Sequence, residues 1–244
     1  MLAQITPAGR KLFFLTIPMG CLYMFSPIGI DMFLAGVPNI AKGLNTTPNQ
    51  IINSISALLL GNALGQLILG PLSDQYGRKP IILLTLFLFS SSALASGLAL
   101  SIECFIFWRF IQGLAISTGR ILAMSVALDL LKKEELGKMM ANIMIIMGLA
   151  AIIFPILGGQ IAQYFPWQWL FWLMVCFGSL VFLFTLFFYK ETINEKNPGA
   201  VSPRYLFISW VNTIRNRILL QYVSCSSFAL AGFGAYIATS ATVL

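Results

Sequence analysis

The chain has 244 residues, 58% of them hydrophobic and 9% charged, with a mean hydropathy of +0.86, whereas soluble domains carry about 25% charged residues; a water-soluble globular domain is excluded. The net charge of +7 would suit nucleic acid, but the basic residues lie in short loops between apolar runs, as topology determinants do, so no nucleic-acid partner is expected. No histidine is present and Cys21, Cys104, Cys176 and Cys225 stand singly, so no metal set, disulfide pattern or cofactor is expected and the cysteines read as packing residues.

Hydrocarbon leaves no backbone polar group open, so spans are helices or a closed barrel. The apolar runs reach about 20 residues without alternation, which selects helices. Arg10 and Lys11 precede the first run, Leu12–Ile30, which is too long for a signal-peptide core. Span 1 is read as Leu12 to Ala41, kinked by Pro18, Gly20, Pro27 and Gly29 and interrupted by Asp31. In the polar loop Asn39–Gln50, Thr46 or Thr47 is placed to cap span 2, Ile51 to Leu69. Gly61 and Gly65 give that span small-xxx-small spacing for close helix approach.

A short polar hairpin follows, Gly70 to Pro80, with Asp74, Gly77, Arg78 and Lys79 in it. Span 3, Ile81 to Leu100, carries Ser90, Ser91, Ser92 and Ser96, which suit interhelical hydrogen bonds. Span 4 runs Phe105 to Asp129, a charged loop takes Lys132 to Lys138, and span 5 runs Met139 to Gln163 with Pro155, Gly158 and Gly159 inside. Pro166 and Trp167 turn the chain into span 6, Trp169 to Tyr189. The polar segment Lys190–Arg217 reads as a linker, and span 7 starts near Ile218. Domains are therefore drawn as a six-helix bundle over 1–189, a linker over 190–217, and one helix of an incomplete second bundle over 218–244. A chain that stops inside an apolar run looks cut, so further helices are expected.

On alternate sides of these spans, twelve lysines and arginines face one (Lys42). The positive-inside rule then puts the N-terminus, the Gly70–Pro80 hairpin and the linker in the cytoplasm, in a multi-pass inner-membrane protein. Ionisable residues within spans are functional suspects, and three stand out: Asp31, Arg109 and Arg120. Counting about 1.5 Å per residue from the inner ends puts Asp31 and Arg109 at one depth, where a direct or water-linked pair is geometrically possible. Arg120, eleven residues on, faces the same way near the midplane and calls for a cavity or an anionic partner. Asp129 ends span 4, where a helix C-terminus disfavours an acid and Arg78 is within reach.

Gly70, Asp74, Gly77, Arg78 and Lys79 fill the pattern G-x-x-x-D-x-x-G-R-[RK] without a gap. The stretch resembles the signature loop between helices 2 and 3 of the major facilitator superfamily. Asp31 to Pro38 resembles the D-M-Y-L-P-A-L-P segment of its Bcr/CflA-type drug exporters, with Ala35 where proline is usual. Arg109, Gln112 and Gly113 match R-F-x-Q-[GA]; Leu128 stands where an arginine often precedes Asp129. Pro155, Gly158 and Gly159 match the antiporter-type G-P-x-x-G-G, with Phe154 replacing its first glycine. Gly234 to Leu244 is similar to the family's seventh span, with Ala241 for proline.

The resemblance implies an all-α membrane protein with the N-terminal bundle of the major facilitator fold plus one helix of the second. It implies proton-coupled export of small drug-like molecules by alternating access, with protons and the lipid bilayer as partners. Asp31, Arg109, Arg120 and Gln112 would serve proton and substrate coupling. Gly70, Asp74, Gly77, Arg78, Lys79 and Asp129 would form a conformational lock. Alternatives are a transporter of an anionic metabolite, a seven-helix receptor or non-transporting subunit, and a truncated chain with no transport of its own. An enzyme is not expected, because no nucleophile–base set or phosphate loop appears.

Overall fold

The computed structural model describes residues 16–193 and 195–243. Arg10, Lys11 and the start of span 1 at Leu12 lie outside the described residues, as does Leu244. Helices are the regular elements throughout, with no strand among the described residues. The chain divides into two compact units, one up to Asn197 and one from Pro198 onward.

In the first unit, α1 (Thr16–Met32) and α2 (Val37–Gly43) meet at a 67° bend and together make one broken span. The last turn of α1, Ile28–Met32, is wound wider than an α-helix, as a π turn, and it holds Asp31. Such turns accommodate an extra residue and recur at functional sites. Five helices long and apolar enough to cross a membrane follow: α3 (Pro48–Tyr76), α4 (Arg78–Gly97), α5 (Ile102–Leu130), α6 (Lys133–Tyr164) and α7 (Gln168–Phe188). Thr47 supplies the cap of α3, accepting from the Gln50 N–H, with Pro48 in the first turn.

Several helices run beyond the expected spans. α3 continues through Gly70 and Pro71 to Tyr76, and α4 begins at Arg78, so the expected polar hairpin contracts to one non-helical residue, Gly77. Pro80 fits because it lies in the first turn of α4, where its missing N–H is not needed. Lys133 to Lys138 are not loop but the start of α6, with Glu134 and Glu135 in the first turn, where the helix dipole favours acids.

Glycines set the tightest contacts. A Cβ at Gly61 would run into the Phe110 carbonyl oxygen, and one at Gly113 into that of Leu58. The α3 and α5 backbones therefore touch, and these two helices share the largest interface. The serines of α4 do not bridge helices as expected. Ser90, Ser91 and Ser92 donate back to Leu86, Leu88 and Phe89 of their own helix. The hydroxyl bond between helices is instead Thr118 to Thr85, 3.0 Å. Cys104 and Cys176 are exposed rather than packed inside, and α6 and α7 carry exposed apolar residues such as Ile145, Ile152 and Phe187.

The second unit is not a plain linker plus span. The segment read as linker folds into α8 (Pro203–Arg215), capped by Ser202, and α9 (Arg217–Val243) follows after Asn216. α9 covers the residues read as span 7.

Candidate functional site

Two clusters of charge stand out in the first unit, one at the α3–α4 corner and one inside the helix packing.

At the corner, Gly77 has φ 113° and ψ 157°, a conformation open to glycine and strained for other residues. This turn brings Arg78 back over the end of α3. Arg78 is buried. Its guanidinium pairs with Asp74 one turn back and with Asp129 at the end of α5, Nε to Oδ2 3.2 Å. It also donates to the Ser73 hydroxyl. The corner thus ties α3, α4 and α5 through one fork-shaped cation. Gly70 takes part only through its carbonyl, which accepts from the Ser73 hydroxyl at 2.7 Å; it lies within α3, where a Cβ would make only ordinary contact with Ile121.

Glu191 completes the cluster, and no sequence motif pointed to it. Its carboxylate accepts the N–H groups of Arg78 (2.9 Å) and Lys79 (3.2 Å), the orphan donors that open α4. It also accepts those of Thr192 and Ile193 in its own segment. Burial would raise its pKa, but the N–H groups of Ile193, Arg78, Thr192 and Lys79 outweigh that and hold it below the usual glutamate value. Lys79 Nζ donates to the Leu186 carbonyl at 3.0 Å, and the Asn197 N–H to that of Asp74 at 3.0 Å. The stretch leaving α7 is therefore strapped across the α3–α4 corner. The available signal was topological: Glu191 is the first acid after span 6, on the same side as Arg78 and Lys79.

Inside the bundle, Arg109 is fully buried. Nη2 donates to the Gly29 carbonyl at 2.7 Å and Nη1 to Gln112 Oε1 at 2.6 Å, while the guanidinium carbon lies 4.1 Å from the Phe33 ring centroid. Its Nε has no hydrogen-bond partner. The ion pair with Asp31 that a common depth would allow is not formed; the two ion pairs among the described residues both belong to Arg78. Arg109 nevertheless reaches the same turn, since Gly29 is two residues from Asp31. The guanidinium takes the irregular α1 backbone instead, because the wide turn presents its carbonyls to α5. Behind the same turn, a Cβ at Gly158 of α6 would run into the Met32 carbonyl oxygen, with Met32 Cα 3.1 Å away. Gly159 has open space around it, so of the matched pair only Gly158 allows the contact. Pro155 lies in α6 one turn earlier.

Arg120 does not share the setting of Arg109. It is exposed, at a small cleft of about 30 Å³ lined by Tyr23, Ser26, Asn62, Gln66 and Met147. No group of three or more possible metal ligands forms among the described residues.

The sequence model of the Major Facilitator Superfamily matches residues 19–244. The chain belongs to that superfamily. It is an all-helical membrane protein of a transporter family, not an enzyme family. The chain is 30% identical over 234 residues to the bicyclomycin resistance protein homolog of Haemophilus influenzae, covering 96% of this chain and 59% of that protein. It is 30% identical over 223 residues to the multidrug resistance protein MdtL of Escherichia coli, covering 91% of this chain and 56% of MdtL. The chain therefore spans less than two thirds of these relatives' length. Among solved structures, the human organic anion transporter MFSD10 superposes with a TM-score of 0.60 at 19% identity, over 80% of this chain and 51% of that one. The inward-open xylose transporter XylE of E. coli superposes with a TM-score of 0.59 at 16% identity, over 90% and 56%. At such identities the likeness is one of fold: these major facilitator helices are arranged as in a solved transporter half.

Proposed function

We propose that the chain forms part of a proton-coupled exporter of small drug-like molecules, working by alternating access in the cytoplasmic membrane with its N-terminus inside. The observation that carries this reading is the setting of Asp31. It is the one carboxylate inside the broken first span, in a π turn wedged between Arg109 of α5 and Gly158 of α6. Gaining or losing a proton there changes the charge of the turn whose Gly29 carbonyl holds the buried Arg109 guanidinium, and the turn is the point where α1, α5 and α6 meet. A charge change at such a junction biases one packing of the helices over another, as an ion-coupled switch requires. At the opposite end of α5, Arg78 with Asp74, Asp129 and Glu191 acts as the lock that holds one of those packings. The names of the drug-resistance relatives support a drug-like substrate.

The test uses everted vesicles containing the natural protein, with drug-driven proton release and drug accumulation read together. Wild type couples the two, and Asp31→Asn loses both. Wild-type coupling in Asp31→Asn removes Asp31 from the mechanism, and no proton release with any of a panel of lipophilic drugs removes the exporter reading.

The exposed guanidinium of Arg120, beside Asn62 and Gln66, favours a second reading, transport of an anionic metabolite. Uptake of organic anions that Arg120→Gln abolishes, without drug-driven proton release, would decide for it.

A further inference from the structure

The second unit contains a helix that the transport reading does not use. α8 is strongly amphipathic. Phe207, Val211 and Ile214 recur at four- and three-residue spacing and so share one face, while Ser209, Asn212 and Thr213 share the other. Thr213 Oγ1 donates back to the Ser209 carbonyl, which keeps that side self-satisfied and wettable. Phe207 and Ile214 are 66% and 65% exposed, so the apolar face is left open.

Charge and connectivity say what covers it. From Pro198 onward the chain has three charged residues, Arg204, Arg215 and Arg217, and no aspartate or glutamate. The arginines stand at the two ends of α8 and at the first residue of α9. A protein partner's rim mixes both signs of charge; an open apolar stripe bracketed by arginines alone complements an apolar layer beneath a sheet of negative charge. The chain leaves α7 at the end where Glu191 meets Arg78 and Lys79, so it starts from a span terminus. It enters α9 after one residue, Asn216 (φ −77°, ψ 100°), whose side chain accepts the Leu219 N–H and caps the new helix. With α9 read as a span, α8 is moored to the membrane surface at both ends. Its 13 residues cover about 20 Å.

We propose that α8 is an interfacial helix. It lies in the anionic phospholipid surface of one leaflet, apolar face toward the acyl chains, with Arg204, Arg215 and Arg217 on lipid phosphates. Binding of this kind depends on anionic lipid and weakens with salt.

The test uses the full chain with its native cysteines replaced. It is reconstituted in phosphatidylcholine vesicles with or without phosphatidylglycerol, with a nitroxide placed singly at successive positions of α8. Accessibility to oxygen and to an aqueous nickel complex should oscillate with the helical period of about 3.6 residues. Labels at 207, 211 and 214 should lie about 5–10 Å below the phosphates, and those at 209 and 212 in water. Immersion should be greater with phosphatidylglycerol. Arg204→Gln with Arg215→Gln should lower the immersed fraction by about fivefold per arginine while leaving the labels on α4 unchanged. Labels wet on every side, immersion equal in both lipids, or labels on the apolar face shielded from both oxygen and nickel would each overturn the proposal. The last would mean that protein covers the face.

Discussion

Replacing Gly77 by alanine strikes the α3–α4 corner in two ways. The backbone there, at φ 113° and ψ 157°, costs a residue with a Cβ about 1–3 kcal/mol. The new Cβ also runs into Glu191 Oε2, with Glu191 Cδ only 3.1 Å away. Either the corner opens or the carboxylate leaves the Arg78 and Lys79 N–H groups. Loss of a capping carboxylate at a helix N-terminus costs about 1 kcal/mol. Gly77→Ala should therefore destabilise the chain by about 2–4 kcal/mol. The assay is an unfolding titration with dodecyl sulfate in mixed micelles, followed by helical circular dichroism. A double-mutant cycle with Glu191→Ala separates the two costs. If alanine at position 77 already evicts the carboxylate, Glu191→Ala adds almost nothing in that background, and the two single costs exceed the double by about 1 kcal/mol. A Gly77→Ala protein within about 0.5 kcal/mol of wild type, or strictly additive costs, would refute the reasoning.

Glu191 is held below the usual glutamate value in the fold, so its stabilisation is complete above the ordinary glutamate range and fades as pH falls through the lowered value; unfolding midpoints measured from neutral pH downward should show an acid decline that Glu191→Gln flattens. Arg109→Ala should cost about 3–5 kcal/mol in the same titration, because it empties a buried site and strands the Gly29 carbonyl and Gln112. Arg109→Lys should not restore the loss, since a single ammonium cannot reproduce the guanidinium fork. Gly158→Ala should destabilise by about 1–3 kcal/mol by pushing α6 off the Met32 carbonyl, while Gly159→Ala should stay within about 0.5 kcal/mol; equal costs for the two would contradict the contact.

The broad plan was readable because the bilayer leaves few solutions. Apolar runs of span length, the bend around Asp31, the close-approach glycines Gly61 and Gly65, and the reach of Arg78 to Asp129 all follow from local residue types and topology. Helix ends were harder. Polarity suggested a loop over Gly70–Pro80, but helices do not stop where lipid stops, and α3 and α4 continue into water until Gly77 alone must turn. Polarity likewise hid α8, whose short apolar stretches are broken by Ser209, Asn212 and Thr213.

The sequence alone determined the membrane class, the helical character, the family and the residue types at the corner, because these depend on composition, short-range spacing and chain order. Partners in space were decided by the tertiary structure. Counting residues puts Asp31 and Arg109 at one depth, yet depth does not choose between a carboxylate and a carbonyl; the wide turn at Ile28–Met32 puts the Gly29 carbonyl in the guanidinium's path. Glu191 lies 113 residues from Arg78 along the chain, and only the packing of α7 beside α4 brings its carboxylate to the open N–H groups. Arg109 and Arg120 sit on one helix at helical spacing, but one is enclosed by α1 and the other opens to a cleft, because what surrounds a helix face is set by its neighbours and not by its own period.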